Sequence, residues 1–148
     1  MAEWIPDNWT FDNSDVATRF DQHVRETLPW YDLATHGTAH LIRSYAPEGG
    51  LIYDIGASTG NIARSVADVI EARNLDFVGI EPSQEMAEMY SAPSRLYVSS
   101  AQEFQFQPFD VAILFLTMMF IPVVDREILL DRLHEKVLPG GAIIIVDK

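Results

Sequence analysis

Asp54, Gly56, Gly60 and Glu81 are the residues whose types and spacing point to chemistry. Leu51-Ile52-Tyr53-Asp54-Ile55 reads as a short buried strand, and Gly56-Ala57-Ser58-Thr59-Gly60 as a tight glycine turn that opens a helix. A second apolar run, Phe77-Val78-Gly79-Ile80, ends in Glu81. Glycines let backbone approach a ligand closely, a helix start offers N–H groups, and a carboxylate can take the two hydroxyls of a ribose. The pattern suits a nucleoside. Asp54 sits in the otherwise apolar end of its strand, where a bare carboxylate is expensive unless turn N–H groups or a ligand's ammonium meet it.

The elements that must position these residues follow from hydrophobic period. Val16, Phe20 and Val24 recur at i, i+4 and i+8, which predicts a helix over 14–28, with Ser14 as N-cap and Pro29 as its stop. A second helix is expected over 33–45, ended by Pro47-Glu48-Gly49-Gly50. Strands are then expected at 51–55, 77–80, 95–98, 111–115 and 142–147, alternating with helices at 61–73, 83–91 and 124–137. Such alternation predicts an α/β fold, a Rossmann-like three-layer sandwich with a mostly parallel sheet and helices on both faces. A ligand would bind at the carboxyl edge of the first, second and fourth strands. Residues 1–13, with Trp4, Ile5, Trp9 and Phe11, read as an arm that docks aromatic side chains; 14–148 read as one domain, whose two leading helices cap the ligand site or the sheet.

Composition narrows the classes. The 148 residues suffice for one domain with a real core, and 48% hydrophobic content agrees with a globular protein. A net charge of −12 repels phosphate backbones, and the arginines are scattered, so free nucleic acid is a disfavoured partner. There is no cysteine, hence no disulfide, thiolate metal site or thiol nucleophile. No apolar run approaches the roughly 20 residues that span a bilayer, and Met1-Ala2-Glu3-Trp4 does not resemble a signal peptide. A cytoplasmic protein without membrane association is expected. His36 and His40 have a metal-compatible i, i+4 spacing without an evident third ligand, so no metal site is expected. The glycine turn is neither a P-loop, nor a G-x-S-x-G elbow, nor the G-x-G-x-x-G of a dinucleotide oxidoreductase.

Asp54-Ile55-Gly56-Ala57-Ser58-Thr59-Gly60 resembles the first motif, D-x-G-x-G-x-G, of class I S-adenosyl-L-methionine (SAM)-dependent methyltransferases. Glu81 matches their second motif, and Leu138-Pro139-Gly140-Gly141-Ala142 the turn before their fifth strand. Ser58 replaces the middle glycine, as in the subgroup of carboxy-S-adenosylmethionine synthases that serve tRNA wobble-uridine modification. Phe20-Asp21-Gln22-His23-Val24, Pro29-Trp30-Tyr31, Leu114-Phe115-Leu116-Thr117-Met118-Met119-Phe120 and Arg126-Glu127-Ile128-Leu129-Leu130-Asp131 resemble further elements of that subgroup.

The resemblance implies SAM, a derivative of it, or S-adenosylhomocysteine as the ligand. Asp54 and the backbone of Gly56, Ala57 and Ser58 would hold its methionine end, with Gly60 completing the turn. Glu81 would take the ribose hydroxyls, Pro82 and Ser83 would shape the adenine side, and Ser100, Ala101 and Gln102 would line the adenine. Ala101 stands where the family often has an aspartate, for which the Gln102 amide oxygen can substitute. Phe115 stands where the subgroup has asparagine; Tyr31 would reach the ligand from the N-terminal segment. Met118, Met119 and Phe120 would wall an acceptor pocket. No catalytic residue is assigned, because an already nucleophilic acceptor needs alignment more than a base.

The family normally has seven strands, and this chain stops after the fifth. The subgroup's arginine for the extra carboxylate falls in the missing portion. The leading expectation is therefore a methyltransferase acting on a small-molecule or protein acceptor, with a synthase-like transferase and a non-catalytic binding module as alternatives. An open last strand also predicts a homodimer through the sheet edge.

Overall fold

The computed structural model describes residues 10–148. Trp4, Ile5 and Trp9 of the expected arm lie outside that range. Two helices, α1 (Ser14–Thr27) and α2 (Tyr31–Tyr45), precede strand β1 (Leu51–Ile55). Helices α3 (Asn61–Ser65) and α4 (Ala67–Ala72) lead to β2 (Asp76–Glu81), and α5 (Gln84–Glu88) leads to β3 (Arg95–Val98). Strand β4 (Phe109–Phe115), a 3-10 turn (Met118–Phe120), α6 (Val123–Lys136) and β5 (Val137–Val146) complete the order.

The five strands form one sheet in the order β3-β2-β1-β4-β5, and every pairing is parallel. The chain winds outward from β1 through β2 to β3, then returns to β4 on the other side of β1. That reversal creates a crevice at the carboxyl ends of β1 and β4, where open α/β sheets take ligands. Side-chain alternation divides the core between two faces. Ile52, Phe77, Val111 and Ile113 pack under α2, α3 and α4, whereas Tyr53, Val78, Ile80 and Leu114 pack against α6 and the segment around Phe106. By the same period of two, Asp54 and Glu81 share the face of Ile52 and Phe77, Asp54 one step and Glu81 two steps nearer the crevice.

Four local differences from the expected elements have physical causes. The N-cap of α1 is Asn13, whose side chain accepts from the Asp15 N–H at 2.9 Å; the Ser14 position is already helical. Helix α2 begins at Tyr31, directly after Pro29-Trp30. The single helix expected over 61–73 breaks at Val66, whose backbone sits at φ −120°, ψ 19°. Ser65 Oγ donates to the Ile62 carbonyl at 2.6 Å, and Arg43 takes the Ser65 carbonyl at 3.2 Å while pairing with Asp68 at 2.9 Å. Those bonds satisfy groups that a continuous helix would have used.

The fourth difference is at β5, which starts at Val137, immediately after α6. Val137 pairs with Phe109, the chain bulges through Leu138-Pro139-Gly140-Gly141, and pairing resumes at Val111 with Ala142. Gly140 has φ +82°, and a Cβ at Gly141 would run into the Asp110 carbonyl. The Pro-Gly-Gly run is thus a bulge that sets the register of β5.

Candidate functional site

The first strand delivers Asp54 to the crevice and the glycine turn then bends away from it. Gly56 adopts φ +77°, and a Cβ there would meet Thr117 Oγ1 at 2.5 Å and Thr117 Cγ2 at 2.9 Å. Only glycine lets the β1 and β4 ends close on one another here. Thr117 Oγ1 donates to the Ile55 carbonyl at 2.7 Å and locks that approach. Ser58 also takes a left-handed backbone, φ +56°, which explains why the resembling motif carries glycine at its position. Gly60, at φ +97°, precedes α3 with its Cα hydrogens packed toward Ala92 and Tyr90.

A cavity of about 530 Å³ opens above these turns, within the ~300–1,000 Å³ typical of small-molecule sites. Asp54, Gly56, Ala57 and Ser58 line it from β1, Glu81 and Pro82 from β2, and Ser100, Ala101 and Gln102 from the segment after β3. Phe115 from β4 and Tyr31 from α2 also line it; of the residues singled out in the sequence, Gly60 and the buried Ser83 are not on the wall. Of the expected acceptor-side residues, Met119 and Phe120 face the cavity, whereas Met118 is buried in the core beneath the sheet.

Asp54 is 1% exposed, and neither carboxylate oxygen meets a hydrogen-bond donor among the described residues. The Ser58 hydroxyl is likewise buried, with no hydrogen-bond partner among the described residues. Burial, with the Glu81 carboxylate beside it as the smaller cause, pushes the Asp54 carboxyl up to about 7. The turn N–H groups expected to serve Asp54 do other work. Gly56 and Ala57 both donate to the Ile80 carbonyl, at 2.8 and 3.0 Å, and Ser58 N–H donates to Glu81 Oε2 at 2.8 Å. The turn therefore offers a ligand close approach rather than free donors. Two orphaned oxygens facing a cavity call for a cation with N–H groups.

Glu81 behaves differently. Its second oxygen accepts from the Ser83 N–H at 3.1 Å, so backbone donors orient both oxygens and leave lone pairs for hydroxyls. Burial raises its carboxyl pKa, while the bonds from Ser83 and Ser58 hold it down. Gln102 donates its amide N–H to Asp125 at 3.3 Å, which leaves the amide oxygen as the group that can accept. Tyr31 packs edge-to-face on Phe115, with ring centroids 5.4 Å apart, under the Arg25 guanidinium. Burial raises the Tyr31 pKa, so the phenol stays neutral.

Several contributors escaped the sequence reading. Arg132 of α6 donates to the carbonyls of Ala101 at 3.2 Å, Gln102 at 2.8 Å and Phe104, and so shapes the segment that lines the cavity beyond β3. Asn61 links Thr35 of α2, at 2.9 Å, to Arg25 of α1, at 3.3 Å. Asp21 of α1 accepts from Thr59 Oγ1 at 2.7 Å, anchoring α1 on the glycine turn. Helix α1 thereby presents Phe20, His23, Val24 and Thr27 to the cavity, with Leu28 at its C-cap beside them. The i, i+4, i+8 spacing of Val16, Phe20 and Val24 made the helix legible in the sequence, but not the cavity that its flank lines.

A parallel doubly wound sheet, with one buried acid near the end of β1 and a second at the end of β2, beside the topological switch, defines a Rossmann-like α/β protein. Its family is narrower: the methyltransferase domain profile matches residues 52–141, and the chain belongs to that family. A carboxy-S-adenosyl-L-methionine synthase of Staphylococcus epidermidis is 31% identical over 97% of this chain and 64% of its own length. The chain thus spans less than two thirds of that relative. Among solved structures, an amino pentose methyltransferase of Micromonospora echinaspora with SAM bound superposes with TM-score 0.67 at 20% identity, covering 97% of this chain and 59% of that one. A plantazolicin methyltransferase in complex with SAH gives TM-score 0.69 at 18% identity over 93% and 55%. The two superpositions concern the fold.

Proposed function

We propose that this chain binds SAM at the carboxyl edge of its sheet and serves as the cofactor-binding part of a methyl-transferring enzyme. The observation that carries the reading is Asp54, whose two buried carboxylate oxygens lack a donor and face the cavity. The α-ammonium of a methionine moiety supplies the missing charge and N–H groups. Glu81, with its remaining lone pairs, takes the vicinal ribose hydroxyls, and the Gln102 amide oxygen accepts from the adenine amino group. When bound, SAM supplies an electrophilic methyl group on a sulfonium. The chain's part is to orient both ends of the ligand and to keep water off the reacting face with the apolar wall of Phe115, Leu116 and Met119.

The acceptor in this reading is a small molecule or a protein, the compartment the cytoplasm, and a second copy a partner across the β5 edge. Residues 1–13 act as an arm and 14–148 as one domain. A carboxy-S-adenosylmethionine synthase-like transferase is the second reading, favoured by Ser58 and by the relative of that name. A non-catalytic module that keeps only the ligand is the third.

Calorimetric titration with SAM, S-adenosylhomocysteine and NAD tests the core of the proposal. Micromolar affinity for the first two, none for NAD, and loss of binding in Glu81→Ala are expected. NAD binding, or no binding of the two sulfur ligands by the intact chain, would sink it.

A further inference from the structure

Ser58 is the strained residue of the cavity wall. Its backbone is left-handed, at φ +56°, a conformation disfavoured for a residue with a side chain on the order of tenfold. Such a conformation persists where the surroundings impose it. On one flank the Ser58 N–H is bound to Glu81 Oε2 at 2.8 Å. The other flank is held through Thr59, which is buried.

The Thr59 hydroxyl donates to Asp21 Oδ1 at 2.7 Å. Its carbonyl accepts from the Ser91 N–H at 3.0 Å and from the Arg64 guanidinium. Arg64 also reaches the Ser91 carbonyl at 3.0 Å and Asp21 Oδ2 at 3.6 Å. Arg64 lies in α3, just beyond the turn, whereas Asp21 comes to Thr59 from α1, 38 residues earlier in the chain. Rotation of Ser58 into the right-handed region would swing the Thr59 hydroxyl and carbonyl off these partners. Fastening Thr59 therefore fixes Ser58.

We propose that Asp21 is a positioning residue for the ligand: through Thr59 it holds Ser58 left-handed, and with it the N–H that orients Glu81 and the hydroxyl set in the cavity wall. The inference rests on the cofactor reading. Asp21 is half-exposed and is not on the cavity wall, so it acts through the turn rather than by touching the ligand.

S-adenosylhomocysteine is titrated into Asp21→Ala, Asp21→Asn and Thr59→Val, each made in the parent chain and in a Ser58→Gly background. Glycine takes the left-handed conformation unaided and so removes what the clamp has to impose. In the parent, Asp21→Ala and Thr59→Val should each weaken binding about tenfold, and the pair together no more than either alone. Asp21→Asn keeps an oxygen that accepts from Thr59 and should stay within about twofold of the parent. Relative to Ser58→Gly alone, adding Asp21→Ala should cost less than about twofold.

A residue that merely anchors α1 would cost the same in both backgrounds, and that result would overturn the inference. Unchanged affinity in Asp21→Ala, or a loss in Asp21→Asn equal to that in Asp21→Ala, would overturn it too. Thr59→Val, which keeps the buried volume, carries the same comparison between backgrounds should Asp21→Ala fail to fold. Each of these outcomes leaves the cofactor reading intact, whereas failure of the intact chain to bind S-adenosylhomocysteine would remove both.

Discussion

Asp54 couples ligand, proton and stability in one side chain. Its carboxyl rises from 3.8 to about 7 in the folded chain, burial being the main cause. The folded state therefore holds a proton that the unfolded state has already released between those two values, so ligand-free stability falls as pH rises through that window. An ammonium ligand needs the ionised form, so its affinity should rise toward pH 7 and level off above it. Asp54→Asn removes the buried charge with little change of shape. At pH 8 the ligand-free variant should melt several degrees higher, with a ceiling of about 4 kcal/mol, while affinity for S-adenosylhomocysteine drops about 10- to 100-fold. Equal melting temperatures for variant and parent at pH 8 would refute the charged-acid account. Ser58 carries a second residue-scale strain, a left-handed backbone and an unpartnered buried hydroxyl. Ser58→Gly should stabilise the ligand-free chain by about 1–2 kcal/mol, or roughly 3–6 °C. If the hydroxyl serves the ligand, the same variant binds S-adenosylhomocysteine several-fold more weakly; unchanged melting would mean the turn bears no strain.

At the scale of elements, the strands were legible because period-two burial and glycine punctuation act locally. Leu51–Ile55 and Arg95–Val98 have the bounds that hydrophobicity alone suggests. Asp54 and Glu81 were legible for a related reason: an acid ending an apolar strand is anomalous in one dimension before any fold is known. Interactions across the chain were not. The break at Val66 depends on Arg43, more than twenty residues away, and the placement of Ser100–Gln102 depends on Arg132. An arginine within a helix gives no sign that it will reach carbonyls beyond the sheet. Arg132 is correspondingly testable. Arg132→Met keeps the aliphatic stem but removes donors to Ala101, Gln102 and Phe104. It should cost about 2 kcal/mol in stability and weaken S-adenosylhomocysteine several-fold, and adenosine should lose a similar factor if the segment lines the adenine as proposed. Loss of stability with nucleoside affinity intact would reduce Arg132 to a structural brace.

For the molecule as a whole, the opposing influences are an open sheet edge and a large like charge. Strand β5 pairs with β4 on one side only among the described residues, and ten residues make it the longest strand of the sheet. Ile145 is 46% exposed on it, so among the described residues this edge leaves backbone groups unpaired and apolar surface exposed. The other edge, β3, has four residues and an ion pair, Arg95 with Asp76 at 2.7 Å. A second copy meeting the first through β5 would bring together two chains of charge −12. Repulsion between them is screened within about 10 Å at 0.1 M salt, whereas strand pairing and apolar contact are not. Association through β5 should therefore strengthen as salt is raised, the reverse of an interface built on ion pairs. Sedimentation velocity from about 20 to 300 mM sodium chloride should show a growing dimer fraction, and Ile145→Lys should return the chain to monomer at every concentration. Dimer that weakens with salt, or survives Ile145→Lys, would place the contact on another face and leave β5 as an edge guarded by charge alone.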